Sequence, residues 1–311
     1  MDPLDTFAFD LNGYVVVRGV LSKEEIEAAN HAIDARQDQL HERKGNILRN
    51  SKEGTPLSGD GTTGRMDLGG MLTWDPPDCD VFRSILAHPR LVPHLRALLG
   101  DGYRMDHLPL LITQNKGAEG FSLHGGPLTT GGDFNPTLQY RCVNGKIWNT
   151  LLAASVVLTD HNAGDGGFCV VRGSHKLNIP VPEEFANATA AAHLEHIYQP
   201  VTQAGDVVLF SEATVHGCLP WNAEKQRRVA LYRFAPATFA YGRSYVPTWP
   251  AEMIQGLSEA QAAVLEPPYA ERLDRPLVTP AAEGGELSVC TKTRNEKKKE
   301  FDRQVFKTQY F

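Results

Sequence analysis

Short apolar stretches separated by turn residues dominate the chain from about residue 103 onward, and this pattern restricts the possible folds more than any other feature. Strands of this length and spacing are typical of an all-β barrel or sandwich. The last stretch, RRVALYRF, carries apolar side chains on both of its alternating faces, as expected of a strand that is buried on two sides. The stretches cover residues 108–114, 120–124, 147–159, 167–171, 206–210 and 227–234.

The segment before this region predicts a strand, a helix and a long loop. Tyr14 to Val17 is flanked by glycines and should form the first strand. Ser22 and Glu25 have the spacing of a capping box, so a helix should follow Ser22. Residues 43–75 are polar and rich in glycine and should form a loop. A loop of that length within a compact domain usually acts as a lid or a binding loop.

We predict a single domain over residues 1–311. Helical spacing occurs at 80–99, where Pro89 interrupts it, and again at 258–264. The domain should consist of an N-terminal strand and helices with the lid loop (1–102), a β core (103–236) and a helical or irregular C-terminal extension (237–311).

Charge and composition exclude several classes of protein. The formal net charge of −6 argues against a nucleic-acid partner. The apolar runs are too short for a transmembrane helix, so we expect no membrane partner. The five cysteines are scattered and form no CxxC pair, which argues against a disulfide framework or a zinc ribbon. The acidic N-terminus lacks the pattern of a signal peptide, so a reducing cytoplasm is the expected location.

Two of the eleven histidines stand at the ends of predicted strands. His124 ends FSLH, and His216 ends GDVVLFSEATVH, 92 residues later. This separation is too long for one helix, but two strands of one barrel can bring such residues together. Neutral imidazole suits iron, zinc or copper. Arg227, 11 residues after His216, could hold a carboxylate with its planar guanidinium, so the three residues suggest a metal site with an acidic cosubstrate.

Four pieces of sequence, in this order along the chain, resemble the phytanoyl-CoA dioxygenase family of Fe(II)/2-oxoglutarate oxygenases. They are LNGYVVVRGVLSKEEIEA, LTDHNAGDGGFCVVRGSHK, GDVVLFSEATVHG and the arginine 11 residues after the last histidine. The resemblance runs from the first strand to about residue 236. It implies a mainly β fold with flanking helices, the double-stranded β-helix, which is a jelly-roll or cupin-like barrel of two antiparallel sheets.

The resemblance also implies roles for individual residues. His124 and His216 would bind iron, and Arg227 would bind the distal carboxylate of 2-oxoglutarate. Arg228 is the alternative to Arg227, because neighbours on a strand face opposite ways and only one of the two can point inward. Further polar residues on strands that should line the barrel could hydrogen-bond 2-oxoglutarate, and these are Thr113, Asn115, Asn149 and Ser155.

The family's first iron motif is His-x-Asp, and here the sequence departs from it. Gly125 and Gly126 follow His124, so Gly126 stands where the carboxylate ligand is expected. Loss of that carboxylate opens a coordination position and removes a negative charge, and a halide ion restores both. The arrangement resembles the Fe(II)/2-oxoglutarate halogenases, in which glycine or alanine replaces the aspartate and chloride binds the iron. The resemblance therefore implies halide transfer to an unactivated carbon.

Two other interpretations compete with the halogenase. Water or the downstream carboxylate Asp133 could fill the third position, and the enzyme would then hydroxylate its substrate. Alternatively, metal binding is lost and the protein is a binding module, but the retained histidines and arginine argue against this. The implied cofactors are Fe(II), 2-oxoglutarate and O2, with chloride for a halogenase. The expected partner is a small-molecule substrate, selected by the loops at 43–75 and 127–146.

Overall fold

The computed structural model describes residues 1–43, 54–129, 131–242, 249–269, 274–280, 286–292 and 296–308. Its helices are α1 Pro3–Asn12, α2 Lys23–Asp34, α3 Asp80–Ser84, α4 Val92–Leu99, α5 Glu183–Ala186, α6 Ala251–Ile254, α7 Glu259–Leu265 and α8 Glu296–Phe306. Its strands are β1 Tyr14–Val17, β2 His41–Glu42, β3 Met66–Leu68, β4 Arg104–Gln114, β5 Phe121–His124, β6 Tyr140–Val143, β7 Lys146–Asn149, β8 Leu152–Val157, β9 Gly167–Val170, β10 Val207–Ser211, β11 His216–Leu219, β12 Arg227–Ala235, β13 Arg275–Thr279 and β14 Ser288–Lys292. No helix within these ranges is long and apolar enough to cross a membrane.

Two antiparallel sheets form the centre of the fold. The major sheet has the strand order β1-β10-β8-β12-β4-β3-β2, and the minor sheet has the order β5-β11-β9. Two further pairs, β6 with β7 and β13 with β14, stand apart from them. The predicted fold class, mainly β with flanking helices and cupin-like, is confirmed. Among the described residues, strand pairing does not join the two sheets into a closed barrel.

The outer face of the major sheet packs against helices. Tyr232 and Phe234 of β12 share a hydrophobic core with Phe82 of α3 and Val264 of α7. The hydroxyl group of the fully buried Tyr232 donates a hydrogen bond to the carbonyl oxygen of Phe82 at 2.7 Å, so its polar end is satisfied. The other face of β12 turns toward the minor sheet through Leu231. Both faces of this strand are therefore covered, in agreement with its sequence pattern.

The minor sheet packs on the inner face of the major sheet. Phe168 of β9 contacts Phe210 of β10, with ring centroids 4.7 Å apart. Ala153, Val157 and Val208 complete this apolar cluster. The cluster fills part of the space between the sheets, and the remaining space forms a cavity with walls from both.

Local sequence signals predicted several of these elements. The first strand, β1, has the predicted bounds. At the start of α2, Ser22 Oγ accepts from the Glu25 amide at 3.3 Å, and the Glu25 carboxylate accepts from the Ser22 amide at 2.8 Å, which is the predicted capping box. The helix predicted at 258–264 is α7. The helical segment 80–99 consists of two helices, α3 and α4, with a 3₁₀ segment between them.

Three segments differ from their sequence prediction. The acidic N-terminus forms the unpredicted helix α1, because the Asp2 carboxylate caps the Asp5 amide at 2.8 Å and Phe9 is fully buried. The predicted loop 43–75 contains β3, which pairs with β4, and its residues 44–53 lie outside the described residues. The predicted loop 127–146 contains β6, paired with β7. These short strands depend on partners elsewhere in the chain, and local composition does not reveal them.

Candidate active site

A cavity of about 330 Å³ lies between the two sheets. The minor sheet contributes His124 and His216 to its wall, and the major sheet contributes Ser155 and Arg227. A volume of this size with a few converging polar groups suits a small-molecule site. The other lining residues are Arg43, Arg65, Leu110, Ile112, Gln114, Gly120, Phe121, Phe168, Phe210, Gly217, Cys218, Val229, Leu231 and Arg233.

His124 and His216 stand opposite each other on neighbouring strands. β5 ends at His124, β11 begins at His216, and the antiparallel register pairs the two residues. Paired residues on adjacent strands project from the same face of a sheet. The centroids of the two rings are 4.2 Å apart. Two imidazoles at this separation on one cavity wall could ligate a single metal ion.

Backbone carbonyl groups set the tautomer of both rings. Nδ1 of His124 lies 3.0 Å from the carbonyl oxygen of Ser122, and Nδ1 of His216 lies 2.7 Å from that of Thr214. Because a carbonyl oxygen only accepts, each Nδ1 carries the ring proton and donates it. In the neutral ring, Nε2 is then the nitrogen without a proton, and neutral imidazole is the form that binds a metal.

Arg227 is the first residue of β12, and its guanidinium lies in the same cavity. Nη1 donates a hydrogen bond to Oε1 of Gln114 at 2.8 Å. Nε is buried, and no acceptor among the described residues hydrogen-bonds it. Burial, together with the nearby positive charge of Arg65, lowers the pKa of Arg227. A carboxylate would supply both the missing acceptor and the missing negative charge.

The surroundings of Arg227 hold it in this direction. The side-chain nitrogen Nε2 of Gln114 donates to the carbonyl oxygen of Glu119 at 2.8 Å. This hydrogen bond turns the side-chain oxygen of Gln114 toward the guanidinium. A Cβ atom on Gly167 would lie 2.8 Å from Nε of Arg227, so this approach requires a glycine. Arg228 faces the other way, and its Nη2 donates to Oδ1 of Asp34 on α2 at 2.6 Å. Of the two arginines, Arg227 is the one that faces the cavity.

The structure brings one of the other suggested 2-oxoglutarate contacts into the cavity, namely Ser155. Thr113 is buried on the face of β4 opposite to Gln114, which is the face directed away from the cavity. Asn115 follows the end of β4 and is exposed. Asn149 is buried, but its amide donates to a backbone carbonyl of α4 at 2.9 Å. Alternation along β4 and the end of that strand thus leave Thr113 and Asn115 outside the cavity lining.

Gly125 and Gly126 have backbone conformations that favour glycine, with φ of +93° and +104°. A Cβ atom on Gly126 would meet its nearest neighbours at 3.6 Å, so backbone strain rather than lack of space disfavours a side chain there. A Cβ atom on Gly125 would lie 2.6 Å from the carbonyl oxygen of Thr214 and 2.8 Å from that of Glu212. The turn that begins at Glu212 therefore packs closely on the chain that follows His124.

Two carboxylates differ sharply in their position relative to the histidines. Asp133 is exposed and does not line the cavity. Glu212 is buried, with Oε2 at 3.6 Å from Nε2 of His216 and Oε1 at 2.5 Å from Nε of Arg233. Burial alone would raise the pKa of Glu212, but Arg233 and the two histidines outweigh this effect and lower the pKa to about 2.

Sequence reasoning did not identify Glu212. Its one signal is the Glu-x-x-x-His spacing in SEATVH. That spacing does not reveal that the chain turns between β10 and β11 and brings the carboxylate back toward the ring. Gln114 was missed for a similar reason, since its contact with Arg227 depends on the register between β4 and β12.

The residues around this cavity fit Fe(II) and 2-oxoglutarate. Imidazole nitrogens without a proton, with a carboxylate nearby, are the ligand types of non-haem iron sites. The buried guanidinium with an unused donor fits one end of a dicarboxylate. Within the described part of the chain, no three His, Cys, Asp or Glu side chains are close enough to form a preassembled metal site. A bound ion would therefore have to draw its ligands closer together.

Solved structures of HygX and SnoN have a similar fold. HygX from Streptomyces hygroscopicus with nickel and 2-oxoglutarate bound has a TM-score of 0.62 at 20% identity, covering 81% of this chain and 94% of HygX. The HygX complex with nickel, 2-oxoglutarate and hygromycin B has a TM-score of 0.60 at 22% identity, with the same coverage. SnoN, a non-heme alpha ketoglutarate dependent epimerase from nogalamycin biosynthesis, has a TM-score of 0.52 at 19% identity, covering 80% of this chain and 91% of SnoN. At these identities, the similarity establishes the fold.

Comparison of sequences gives the family. No curated protein sequence matches the chain. The family model of phytanoyl-CoA dioxygenase (PhyH) matches residues 9–229, which include both histidines of the cavity and Arg227. The chain belongs to the phytanoyl-CoA dioxygenase family and is an Fe(II)/2-oxoglutarate-dependent enzyme.

Proposed function

We propose that this enzyme oxidises an unactivated C–H bond of a small molecule, with His124 and His216 holding Fe(II) and Arg227 holding 2-oxoglutarate. One observation carries the proposal. Two imidazoles, each with its Nδ1 donating to a backbone carbonyl, share a cavity with a buried arginine whose Nε finds no acceptor among the described residues. This combination offers a cation two nitrogen ligands and offers an acidic cosubstrate a charged anchor.

When bound, iron and 2-oxoglutarate supply the oxidation: O2 and 2-oxoglutarate give succinate and carbon dioxide, and the second oxygen atom converts the substrate C–H to C–OH. The chain binds and orients the reactants. Arg227 would fix the distal carboxylate of 2-oxoglutarate, and Gln114 keeps the guanidinium aimed at it. Ser155 offers a hydroxyl group in the cavity wall, while Phe168 and Phe210 keep part of that wall apolar and exclude water.

Halide transfer is a second candidate, and Gly126 is the observation that favours it. The position carries no side chain, and the nearest atoms to a Cβ there would be 3.6 Å away, so a halide has no carboxylate from residue 126 to displace. In that reaction, substrate C–H, chloride, a proton, O2 and 2-oxoglutarate would give C–Cl, water, succinate and carbon dioxide. Hydroxylation is favoured instead by the Glu212 carboxylate beside His216.

Turnover of 2-oxoglutarate tests what the hydroxylase and the halogenase have in common, namely iron at the two histidines and consumption of 2-oxoglutarate. Purified enzyme given Fe(II), 2-oxoglutarate and O2 should form succinate and bind iron. His124→Ala and His216→Ala should lose both properties, because each removes one of two nitrogen ligands. His31→Ala, on the exposed side of α2, is the matched control and should retain both. Parent-like consumption of 2-oxoglutarate by His216→Ala would show that the assignment is wrong.

Product analysis separates the two candidates. Mass spectrometry of reactions with and without chloride should give the same alcohol in both buffers if the enzyme is a hydroxylase. A halogenase would give a chlorinated product that disappears when chloride is omitted and becomes brominated when bromide replaces it.

A further inference from the structure

Glu212 brings a carboxylate oxygen next to a ring nitrogen of His216. Oε2 lies 3.6 Å from Nε2. Because Nδ1 of His216 is turned toward the carbonyl oxygen of Thr214, Nε2 is the ring nitrogen that faces the carboxylate. A metal ion placed between Nε2 and Oε2 could bind both atoms. Carboxylate and imidazole ligands bind transition metals at about 2.0–2.2 Å, so atoms up to about 4 Å apart can share one ion.

Arg233 orients the same carboxylate without competing for Oε2. Its Nε donates to the other oxygen, Oε1, at 2.5 Å. The pairing occupies Oε1 and leaves Oε2 directed at the histidine. Metal-ligating carboxylates are commonly held in this way by a hydrogen bond to the second oxygen.

The turn that carries Glu212 is fixed by hydrogen bonds to distant parts of the chain. The hydroxyl group of Thr214 donates to the carbonyl oxygen of Gly13 at 2.9 Å. The amide of Val215 donates to Oγ of Ser174 at 2.7 Å. The amide of Glu212 itself donates to the carbonyl oxygen of Leu151, just before β8, at 3.1 Å. These hydrogen bonds hold the turn beside His216, so that only the side chain of Glu212 has to move for its carboxylate to reach a bound ion.

The glycines after His124 belong to the same arrangement. The carbonyl oxygens of Glu212 and Thr214 lie so close to Gly125 that a Cβ atom there would be 2.8 and 2.6 Å from them. Gly126 continues in a left-handed conformation in which an aspartate would be strained. The turn that carries Glu212 thus packs on Gly125, while backbone strain alone disfavours a side chain at Gly126, where the family's carboxylate is expected.

We propose that Glu212, on the turn before β11, is the third protein ligand of the iron and replaces the carboxylate that Gly126 lacks. This inference rests on the proposed function, since it requires iron at His124 and His216. It predicts a site of two histidines and one carboxylate with the sequence pattern His…Glu-x-x-x-His. The halide position is then occupied by protein, and the expected product is the alcohol.

Anaerobic binding of Fe(II), measured by equilibrium dialysis, tests this ligand directly. Glu212→Ala and Glu212→Gln should weaken iron binding at least tenfold, because a neutral group replaces an anionic ligand. Formate should partly restore the affinity of Glu212→Ala by entering the emptied position, and should not affect the parent. The matched control is Asp206→Asn at the other end of β10, which removes a buried carboxylate paired with Arg18 at 2.7 Å and should bind iron as the parent does.

The outcomes distinguish this inference from the proposed function. Parent-like iron affinity in Glu212→Gln, with loss of affinity in His216→Ala, would overturn the role of Glu212 alone. Parent-like affinity in His216→Ala would overturn the proposed function as well. If the Glu212 variants fail to fold, anaerobic crystals of the parent with Fe(II) decide the question. A Glu212 oxygen at about 2.2 Å from the iron is expected, whereas water or chloride in its place would refute the inference.

Discussion

Arg227 and Arg228 are adjacent arginines on β12 whose guanidinium groups have different hydrogen-bond partners. The guanidinium of Arg227 enters the cavity and bonds Gln114, while that of Arg228 bonds Asp34 and Asn30 of α2. The difference follows from the alternation of side chains along a strand. The pair therefore provides a matched test of which guanidinium anchors the cosubstrate.

Arg227→Ala should weaken 2-oxoglutarate binding by roughly ten- to a hundredfold. A charge-assisted hydrogen bond in a desolvated site contributes about 1.5–3 kcal/mol, and about 1.4 kcal/mol corresponds to a factor of ten. Arg227→Lys should restore only part of the affinity, because an ammonium group cannot form the planar fork. Arg228→Ala is the control. Calorimetry on the iron-loaded enzyme would contradict the assignment if Arg228→Ala lost affinity and Arg227→Ala did not.

His175 is a buried histidine with no place for a second ring proton. The residue is 1% exposed to solvent, and Nε2 donates to the carbonyl oxygen of Asp10 at 3.0 Å. Nδ1 is buried against Gly13 and hydrogen-bonds no acceptor among the described residues. Burial, and then the charge of Lys176, lower the pKa of His175 to about 4, against the opposing effect of Asp10. Tyr140, which packs on the ring, contributes no charge at neutral pH.

Acid should therefore destabilise the fold through His175. As the pH falls below about 6.5, the unfolded state takes up a proton that the folded state does not accept until about pH 4. The free energy of unfolding should fall by about 1.4 kcal/mol per pH unit across this window, on the order of 3 kcal/mol in total. His175→Gln keeps a donor but cannot titrate, so urea denaturation between about pH 7 and 5 should show a shallower slope. Equal slopes in the two proteins would exclude this role.

At the scale of residues, the sequence predicts the groups that stand at strand ends. It does not predict the groups whose contacts depend on which way a side chain points. The two histidines and Arg227 were selected at strand ends, and they share one cavity. Thr113 lies on the predicted strand, but its side chain is on the face of β4 away from the cavity, because successive residues of a strand face opposite ways. Glu212 was missed because its contact with His216 arises from a turn that packs on Gly125, far away in the sequence.

At the scale of elements, the turn from Glu212 to Val215 joins the two sheets, because it connects β10 of the major sheet to β11 of the minor sheet. It packs on Gly125 through two backbone carbonyls, which cannot rotate away as a flexible side chain could. The next residue, Gly126, has a similar φ but open space around it. Comparing alanine substitutions at the two glycines therefore separates the free-energy cost of backbone strain from that of a steric clash.

Gly125→Ala should destabilise the protein more than Gly126→Ala. Both substitutions force an alanine into positive φ, at a cost of about 1–2 kcal/mol. Gly125→Ala adds a contact of 2.6 Å with the Thr214 carbonyl, which the turn can relieve only by moving. Such overpacking costs a further 1–3 kcal/mol or so. Urea denaturation of both variants should show this difference, and Gly125→Ala should also bind Fe(II) more weakly. Equal stabilities would mean that the turn does not depend on this contact.

Elements set by local chemistry were predictable, and elements set by distant pairing were not. β1 and the capping box of α2 follow from a few adjacent residues, and both agree with the structure. β3 forms inside a polar, glycine-rich segment because β4 offers it a hydrogen-bonding edge. The helix α1 was missed because its start depends on one aspartate cap, and its apolar side chains Leu4, Phe7 and Leu11 are largely exposed.

At the scale of the whole molecule, the proposed ligands connect the two sheets. His124 and His216 belong to the minor sheet, whereas Arg227 and Ser155 belong to the major sheet. The apolar contact of Phe168 with Phe210 already joins the sheets beside the cavity. Iron alone would tie β5 to β11 within one sheet, and 2-oxoglutarate held between the iron and Arg227 would span both.

The stabilisation by iron and 2-oxoglutarate together should therefore exceed the sum of their separate effects. A ligand at a hundred times its dissociation constant stabilises the folded state by about 2.7 kcal/mol. If 2-oxoglutarate needs both the iron and Arg227, it should add little to chelator-treated enzyme and much more after Fe(II) is restored. Anaerobic urea denaturation with each ligand alone and with both measures this coupling. Arg227→Ala should keep the increment from iron and lose most of that from 2-oxoglutarate, and His216→Ala should lose both. Full stabilisation of His216→Ala by 2-oxoglutarate would mean that the cosubstrate binds one sheet without the metal, and the bridging arrangement would be wrong.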